Sequence, residues 1–305
     1  MKVREIKHGD AGRRGRRPPV VKAGAPAWGA KQARAMDGAT LLRAMLANCL
    51  AQILPNAAAI AGGSGDPEHV HQLRVGLRRL RSAARGMRPF ATCLPAGWEA
   101  AILPVFEALG DARDKHVRAT TLAPRLRAAG APVADLGGPS EEDARRLRAH
   151  VRGEGFQDML RQLQSCARPA EAARGHAGSG MARLERQLRR LASQVTRAAG
   201  RFDKLSFARQ HRTRKRLKRL RYLAEFAAPA FDREAVAAWM DKASRAQDRL
   251  GRHVDLALAA HRFALAAKTD PGAGFAARWL HAKAEASTRK ARKSLRRLRR
   301  AKAFW

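Results

Sequence analysis

Apolar residues recur along this chain at intervals of three and four, the spacing of one face of an α-helix. Leu42, Met45, Leu46, Cys49, Leu50 and Ile53 carry the pattern first. GGSG at 62–65 reads as a turn. It leads into DPEHVHQLRVGLRRLRSAARGMR, Asp66–Arg88, where Asp66 can cap a helix. Pro67 fits the first helical position, because its missing N–H is not needed there. Val70, Leu73, Leu77, Leu80 and Ala84 then form one narrow stripe. Leu94-Pro95 opens a third segment, with Ile102, Val105, Phe106 and Leu109 on one face and Pro104 expected to kink it or end its first part. Gly130 to Gly138 reads as a loop. Ser140 with Asp143 resembles a capping box. It launches a fourth helix with Leu147, Val151, Met159 and Leu163 inward and weak points at Gly153 and Gly155. After a Pro/Gly-containing link near 168–180, Leu184, Leu188, Leu191 and Val195 mark a fifth helix. Phe207 to about Ala228 makes a sixth, and Val236, Trp239, Met240 and Leu250 a long seventh. Asp270-Pro271 repeats the cap-plus-proline opening before a last helix with Trp279, Leu280, Leu295 and Leu298. β-branched residues are sparse and alternation is absent, so the class is all-α.

The Asp66–Arg88 segment carries a second stripe. His71, Arg74, Arg78, Arg81 and Arg85 keep the helical period but are turned by about 100° from the apolar residues. The basic stripe therefore runs beside the apolar one, at the edge of a core or lining a cleft. From His71 to Arg85 it extends about 21 Å, a length that suits an elongated polyanion. Alone, such a run reads first as a solvated face, which is what most charge runs are.

Composition enlarges that picture. The chain has 305 residues, enough for one large or two ordinary domains. Lys and Arg number 62 against 26 Asp and Glu, a net charge of +36. Self-repulsion of that size calls for anionic partners, among which nucleic acid, inorganic polyphosphate and anionic membrane all qualify. Aromatics are only 5%, with Tyr222 the single tyrosine, which argues against base stacking on aromatic platforms. Cys49, Cys93 and Cys166 are widely spaced, so neither a disulfide framework nor a zinc site is expected, and a reducing compartment fits. His69 and His71 point about 200° apart on a helix and cannot share a metal. No segment has the ~18 continuous apolar residues of a membrane span, and a signal-peptide core is missing. A soluble cytoplasmic protein is expected. Residues 1–36 hold ten Lys/Arg and two acids, with repeated Gly and Pro. They read as a disordered basic arm, either adding non-specific affinity for anions or without specific role.

The chain also repeats itself. HQLRVGLRRLRS, 71–82, aligns with HRTRKRLKRLRY, 211–222. His71, Arg74, Leu77, Arg79, Leu80 and Arg81 meet identical residues at an offset of 140, and Arg78 meets Lys218. At an offset of 141, Leu109, Gly110 and Asp114 meet Leu250, Gly251 and Asp255. The two landmarks keep their separation to within one residue, which duplication explains better than chance. The reading is two four-helix halves, 37–170 and 171–305, each presenting one basic helix toward a shared surface.

These motifs, VHQLRVGLRRLRS at 70–82, LGDARD at 109–114, RLKRLRYLAEF at 216–226 and LGRHVD at 250–255, resemble the CHAD family of histidine-containing α-helical domains. The resemblance covers about residues 38–301. It implies two pseudo-symmetric four-helix bundles forming one domain around a basic central groove or pore. It also implies binding of long-chain inorganic polyphosphate and association with polyphosphate granules, without catalysis and without a cofactor. Many relatives are joined to a CYTH triphosphatase domain, and nothing in this chain looks like one. By position, the implied anion ligands are His71, Arg74, Arg78, Arg79 and Arg81 in the first half. In the second they are His211, Arg214, Lys218, Arg219 and Arg221. Arg113 matches a further basic position, and Arg85 extends the first ladder. Asp114 and Asp255 are expected to pair with motif arginines and orient them. His116 replaces the second acid of the R-D-x-D run, and Glu225 stands where the first repeat has Arg85, so the second ladder is shorter.

Arginine suits the task because its planar fork makes paired, charge-assisted bonds to phosphate oxygens and stays charged. The two histidines could donate to phosphate when protonated, or simply hydrogen-bond a neighbouring helix. A Gly-rich phosphate loop, an HExxH motif and a paired-carboxylate magnesium site are all missing, so a hydrolase is disfavoured. The expected partner is inorganic polyphosphate, with nucleic acid bound only non-specifically and no membrane. A nucleic-acid-binding protein and an accessory subunit of a polyphosphate-processing enzyme remain as alternatives. The C-terminal run 290–302 either extends the groove or stays solvated.

Overall fold

The computed structural model describes residues 18–131, 138–169, 178–270 and 272–305. Helices account for the regular structure, and no strand occurs among the described residues. A short α1 (Ala30–Ala35) precedes α2 (Gly38–Ala61), whose start Asp37 caps by accepting from the Thr40 N–H at 2.7 Å. Leu41, Leu42, Met45, Leu46, Cys49 and Ile53 on α2 are fully buried. This helix is long and apolar enough to cross a membrane, yet α3, α6, α7 and α8 pack around it as a core helix. Burial pushes the Cys49 thiol up to about 12.

α3 (Pro67–Gly86) begins at Asp66, which accepts from the Glu68 N–H at 2.8 Å. α4 (Trp98–Val117) runs unbroken through Pro104, so the expected stop does not occur there. Pro104 lies in the helix's second turn and is exposed, so its ring meets solvent rather than a neighbour. A π-helical turn, Arg118–Leu122, carries α4 into α5 (Ala123–Ala128). Most of the expected 130–138 loop and of the 168–180 link, and the proline of Asp270-Pro271, lie outside the described residues. The Ser140–Asp143 capping box forms in full and starts α6 (Glu141–Arg152). Gly153 leaves helical geometry, splitting the expected fourth helix into α6 and α7 (Glu154–Ala167).

The second half comprises α8 (Ser179–Gly200), α9 (Phe207–Ala227), α10 (Arg233–Ala266) and α11 (Gly272–Arg299). α10 and α11 pack along each other, and α8, α9, α10 and α11 close a ring of contacts. Gly180 shows how tightly the halves join: a Cβ there would lie 2.7 Å from the Asp37 carbonyl oxygen. One apolar core runs through both halves, from Leu41 on α2 to Leu298 on α11. A smaller core joins Leu126 and Ala131 to Ala276 and Leu280, linking α5 to α11.

Two expectations need correcting. The arm was expected to be disordered to residue 36. Residues 1–17 lie outside the described residues, but the following stretch is strapped along α2. Asn56 Nδ2 donates to the Val21 carbonyl at 2.7 Å, Asn48 Nδ2 to the Ala25 carbonyl at 3.2 Å, and Trp28 and Ala33 are buried. Arg34 then reaches the Ala230 carbonyl at 2.7 Å. A few apolar residues suffice because the Asn48 and Asn56 side chains of α2 donate to the strap's carbonyls. The second correction concerns cysteine: Cys93 and Cys166 form a disulfide across 73 residues of sequence. Spacing along the chain concealed it, because the fold brings their Cα atoms to 5.4 Å.

Candidate functional site

The site is built on α3 and α9, which pack against each other. On α3, Leu73, Leu77 and Leu80 are fully buried, so the apolar stripe fixes the helix and sets the phase of everything else on it. The basic stripe then falls beside α4. Three of its arginines crowd one ring: the guanidinium carbons of Arg74, Arg78 and Arg81 lie 5.4, 5.5 and 5.3 Å from the Phe106 centroid. Arg74 also lies against α4 backbone. Its Nη1 atom is 2.6 Å from where a Cβ on Gly110 would stand. In the second half, Arg214 occupies the matching place over Gly251, with its Nη2 3.6 Å from the equivalent point.

Equivalent positions of the repeat act on one another electrostatically. Burial first, and then the Arg74 and Arg214 charges, lower the Arg78 pKa to about 10. Lys218, the residue matched to Arg78, falls to about 7 through burial and the charges of Arg214, Arg78 and Arg74. Arg74 is lowered by burial, with Arg214 and Arg113 adding to the effect and Asp114 opposing it. His71 is lowered by burial and then by Arg113, and His211 by burial and then by Lys215 and Arg214. Burial and these charges therefore favour the neutral form of both histidines. Such a cluster is held together against its own repulsion. Arg74 Nη1 is buried, and it finds no acceptor among the described residues.

The acids close to the cluster are few. Asp255 pairs with Arg214 at 3.1 Å, the orienting role expected for it. Asp114 lies 4.0 Å from Arg262 on α10, and its charge also acts on the motif arginines Arg74 and Arg78. The outer end of the first ladder is neutralised. Glu99 on α4 holds Arg85, with Arg85 Nε donating to its Oε1 at 2.7 Å, and Arg81 Nη2 lies 3.4 Å from its Oε2. The hydrogen bond from Arg85 holds the Glu99 carboxyl below the usual range. Arg221 is similarly engaged, donating to Glu225 at 2.6 Å and Gln247 at 3.0 Å.

The amino-acid sequence matches the CHAD domain model over residues 44–264, well over half its length. The chain belongs to the CHAD family. The crystal structure of the CHAD domain from the plant Ricinus communis is similar to it, with a TM-score of 0.71 and 26% sequence identity, covering 92% of this chain and 97% of that chain. No curated protein matches the sequence.

Within this CHAD fold the sequence-derived residues divide. His71, Arg74, Arg78, Arg113, Arg214 and Lys218 come together, with His211 beside them. Arg81, Arg85 and Arg221 are tied to carboxylates. Arg219 is turned away, toward Arg190, Arg85 and Glu99. Arg79 is a correction. It is 1% exposed and donates to Asn48 at 2.7 Å and Gln52 at 3.2 Å, with Glu225 3.5 Å away and the Phe226 ring 4.9 Å away. It is a core cation, and no ligand can reach it. Helical phase marks the difference, since Arg79 lies about 120° from the centre of the ladder. Phe106 and Glu99 escaped the sequence reading. Phe106 was counted as core, although its ring serves as the floor for three arginines. His253, loosely matched in the repeat, is buried and bonded to Gln210 at 2.8 Å and Ser287 at 3.0 Å. No cluster of three or more His, Cys, Asp or Glu that could hold a metal occurs among the described residues.

Proposed function

We propose that this CHAD chain binds inorganic polyphosphate through the His71–Arg74–Arg78–Arg113 and His211–Arg214–Lys218 cluster, without chemical turnover. The observation that carries the reading is the meeting of equivalent cations from the two halves. Arg74 faces Arg214 and Arg78 faces Lys218 electrostatically, under a burial that makes the charge costly without an anion. Phosphate oxygens offer what this cluster lacks: negative charge and acceptors for the arginine forks. A linear chain of phosphates presents them at every unit. Nucleic acid is the poorer fit. The Phe106 face is taken up by arginines and Tyr222 is buried, so neither gives a base a stacking platform. In the cell this reading puts the protein at cytoplasmic polyphosphate granules, as a coat or as a docking module for polyphosphate-processing enzymes.

The test is competition. Labelled long-chain polyphosphate bound to the full chain should resist displacement by duplex DNA or single-stranded RNA at equal phosphate concentration. Efficient displacement by either nucleic acid would favour a nucleic-acid-binding function instead.

A further inference from the structure

α9 is basic on two sides. About 170° round from Arg214, Lys218 and Arg221, the residues Arg209, Arg212 and Arg216 form a second stripe. They face the end of α8, where Arg197 and Arg201 lie, and the five arginines line a cleft of about 350 Å³. Gln194, Ala198, Leu205 and Thr213 complete the lining, which contains no acid and no aromatic ring.

We propose that this cleft is a second anion site, separate from the ladder, for an unadorned run of adjacent phosphate groups. Three observations carry it. First, the arginines of this cleft are not spent on the fold. Elsewhere arginines tie elements together, as Arg43 does at the Cys166 carbonyl (2.8 Å) and Arg152 at the Ala61 carbonyl (2.7 Å). Among the described residues none of the five cleft arginines ties one element to another; Arg197 donates to Ser193 on its own helix at 3.0 Å. Second, exposed arginines on other helices are commonly balanced one turn away, as Arg189 is by Glu185 and Arg245 by Asp241. No ion pair to the five cleft arginines occurs among the described residues. Third, the charges converge from two elements around a concavity. The basic face of α11 does not match this: its cleft is lined by one helix, and Arg292 there is neutralised by Asp203 at 2.7 Å. Converging guanidinium forks recognise neighbouring phosphates in bidentate fashion, and the missing aromatic ring leaves nothing to read a nucleobase.

Isothermal titration of the full chain with tripolyphosphate tests the proposal. Two classes of site are expected. Arg209→Glu/Arg212→Glu/Arg216→Glu should remove one class, weakening it at least tenfold, and leave the other intact. Arg78→Glu/Lys218→Glu should do the reverse, so a failure of the ladder reading is distinguishable from a failure of this one. If the charge-reversed chain does not fold, judged by circular dichroism, the Arg→Gln triple variant gives the same readout. ATP, with the same number of phosphates, should bind the cleft no more tightly than tripolyphosphate. A triple variant that is folded and keeps both classes at unchanged affinity overturns the site, and tighter ATP binding that the triple variant abolishes overturns the ligand class.

Discussion

Arg74 lies against Gly110 so closely that its Nη1 stands 2.6 Å from the place of a Cβ. The LG pair of the repeated motif thus has a physical meaning. The leucine, Leu109 or Leu250, is buried in the core. The glycine after it leaves a flat patch of helix on which a guanidinium rests. Gly110→Ala should push the Arg74 head group aside. Because the displaced atom ends a flexible side chain, the melting temperature should change little while polyphosphate affinity falls several-fold. Gly251→Ala should do less, since Arg214 stands at 3.6 Å. Paired measurements of melting and affinity on both variants check this ordering.

Arg79 should behave in the opposite way. Arg79→Met removes donors from Asn48 and Gln52 and leaves Glu225 with Arg221 as its cation. Loss of one partner from a buried polar network costs about 2–4 kcal/mol. Urea unfolding should register that loss, while the variant that remains folded binds polyphosphate as before.

Lys218 gives the site a pH signature. Its folded pKa is about 7, below the ordinary 10.5. Bound phosphate favours the charged form, so binding above pH 7 should draw in a proton and affinity should fall as pH rises through that range. Calorimetry in buffers of different ionisation heat measures the uptake, and Lys218→Arg should reduce it, leaving the share taken up by His71 and His211. Stability of the free chain moves the other way. Between about pH 7 and 10.5 the unfolded chain holds the Lys218 proton and the folded chain does not, so this residue makes stability rise with pH across that window. Denaturation at stepped pH, with and without the substitution, checks the sign.

Cys93 and Cys166 close a long loop of the first half. A cross-link of that span stabilises by about 2–4 kcal/mol, chiefly through the unfolded chain. Cys166→Ser should lower the urea midpoint accordingly, and treatment of the parent with a reductant should reproduce the shift.

Much of this fold was legible because local signals agreed. Asp66 and Ser140 announced their helices as caps, and the i, i+3, i+4 leucines fixed which face turns inward. The repeat announced that two basic helices belong together. What escaped the sequence depended on distance in space. Cys93 and Cys166 carry no pattern that shows their meeting. Phe106 scans as one more apolar residue, and only the packing of α3 on α4 turns its ring toward the arginines. Glu99 stands far from Arg81 and Arg85 in sequence, so the neutralised end of the ladder could not be read. Arg79 was the opposite case: its helical phase already set it apart from the ladder, and the motif match obscured that.

The most direct test is binding of long-chain polyphosphate to the parent and to Arg74→Glu/Arg78→Glu/Lys218→Glu across a salt series. Phosphate contacts make affinity fall steeply with salt, and each lost contact flattens that slope. The account predicts that the folded triple variant binds at least tenfold more weakly with a shallower salt dependence. Unchanged affinity and an unchanged slope would show that the paired ladders are not where the polyanion binds.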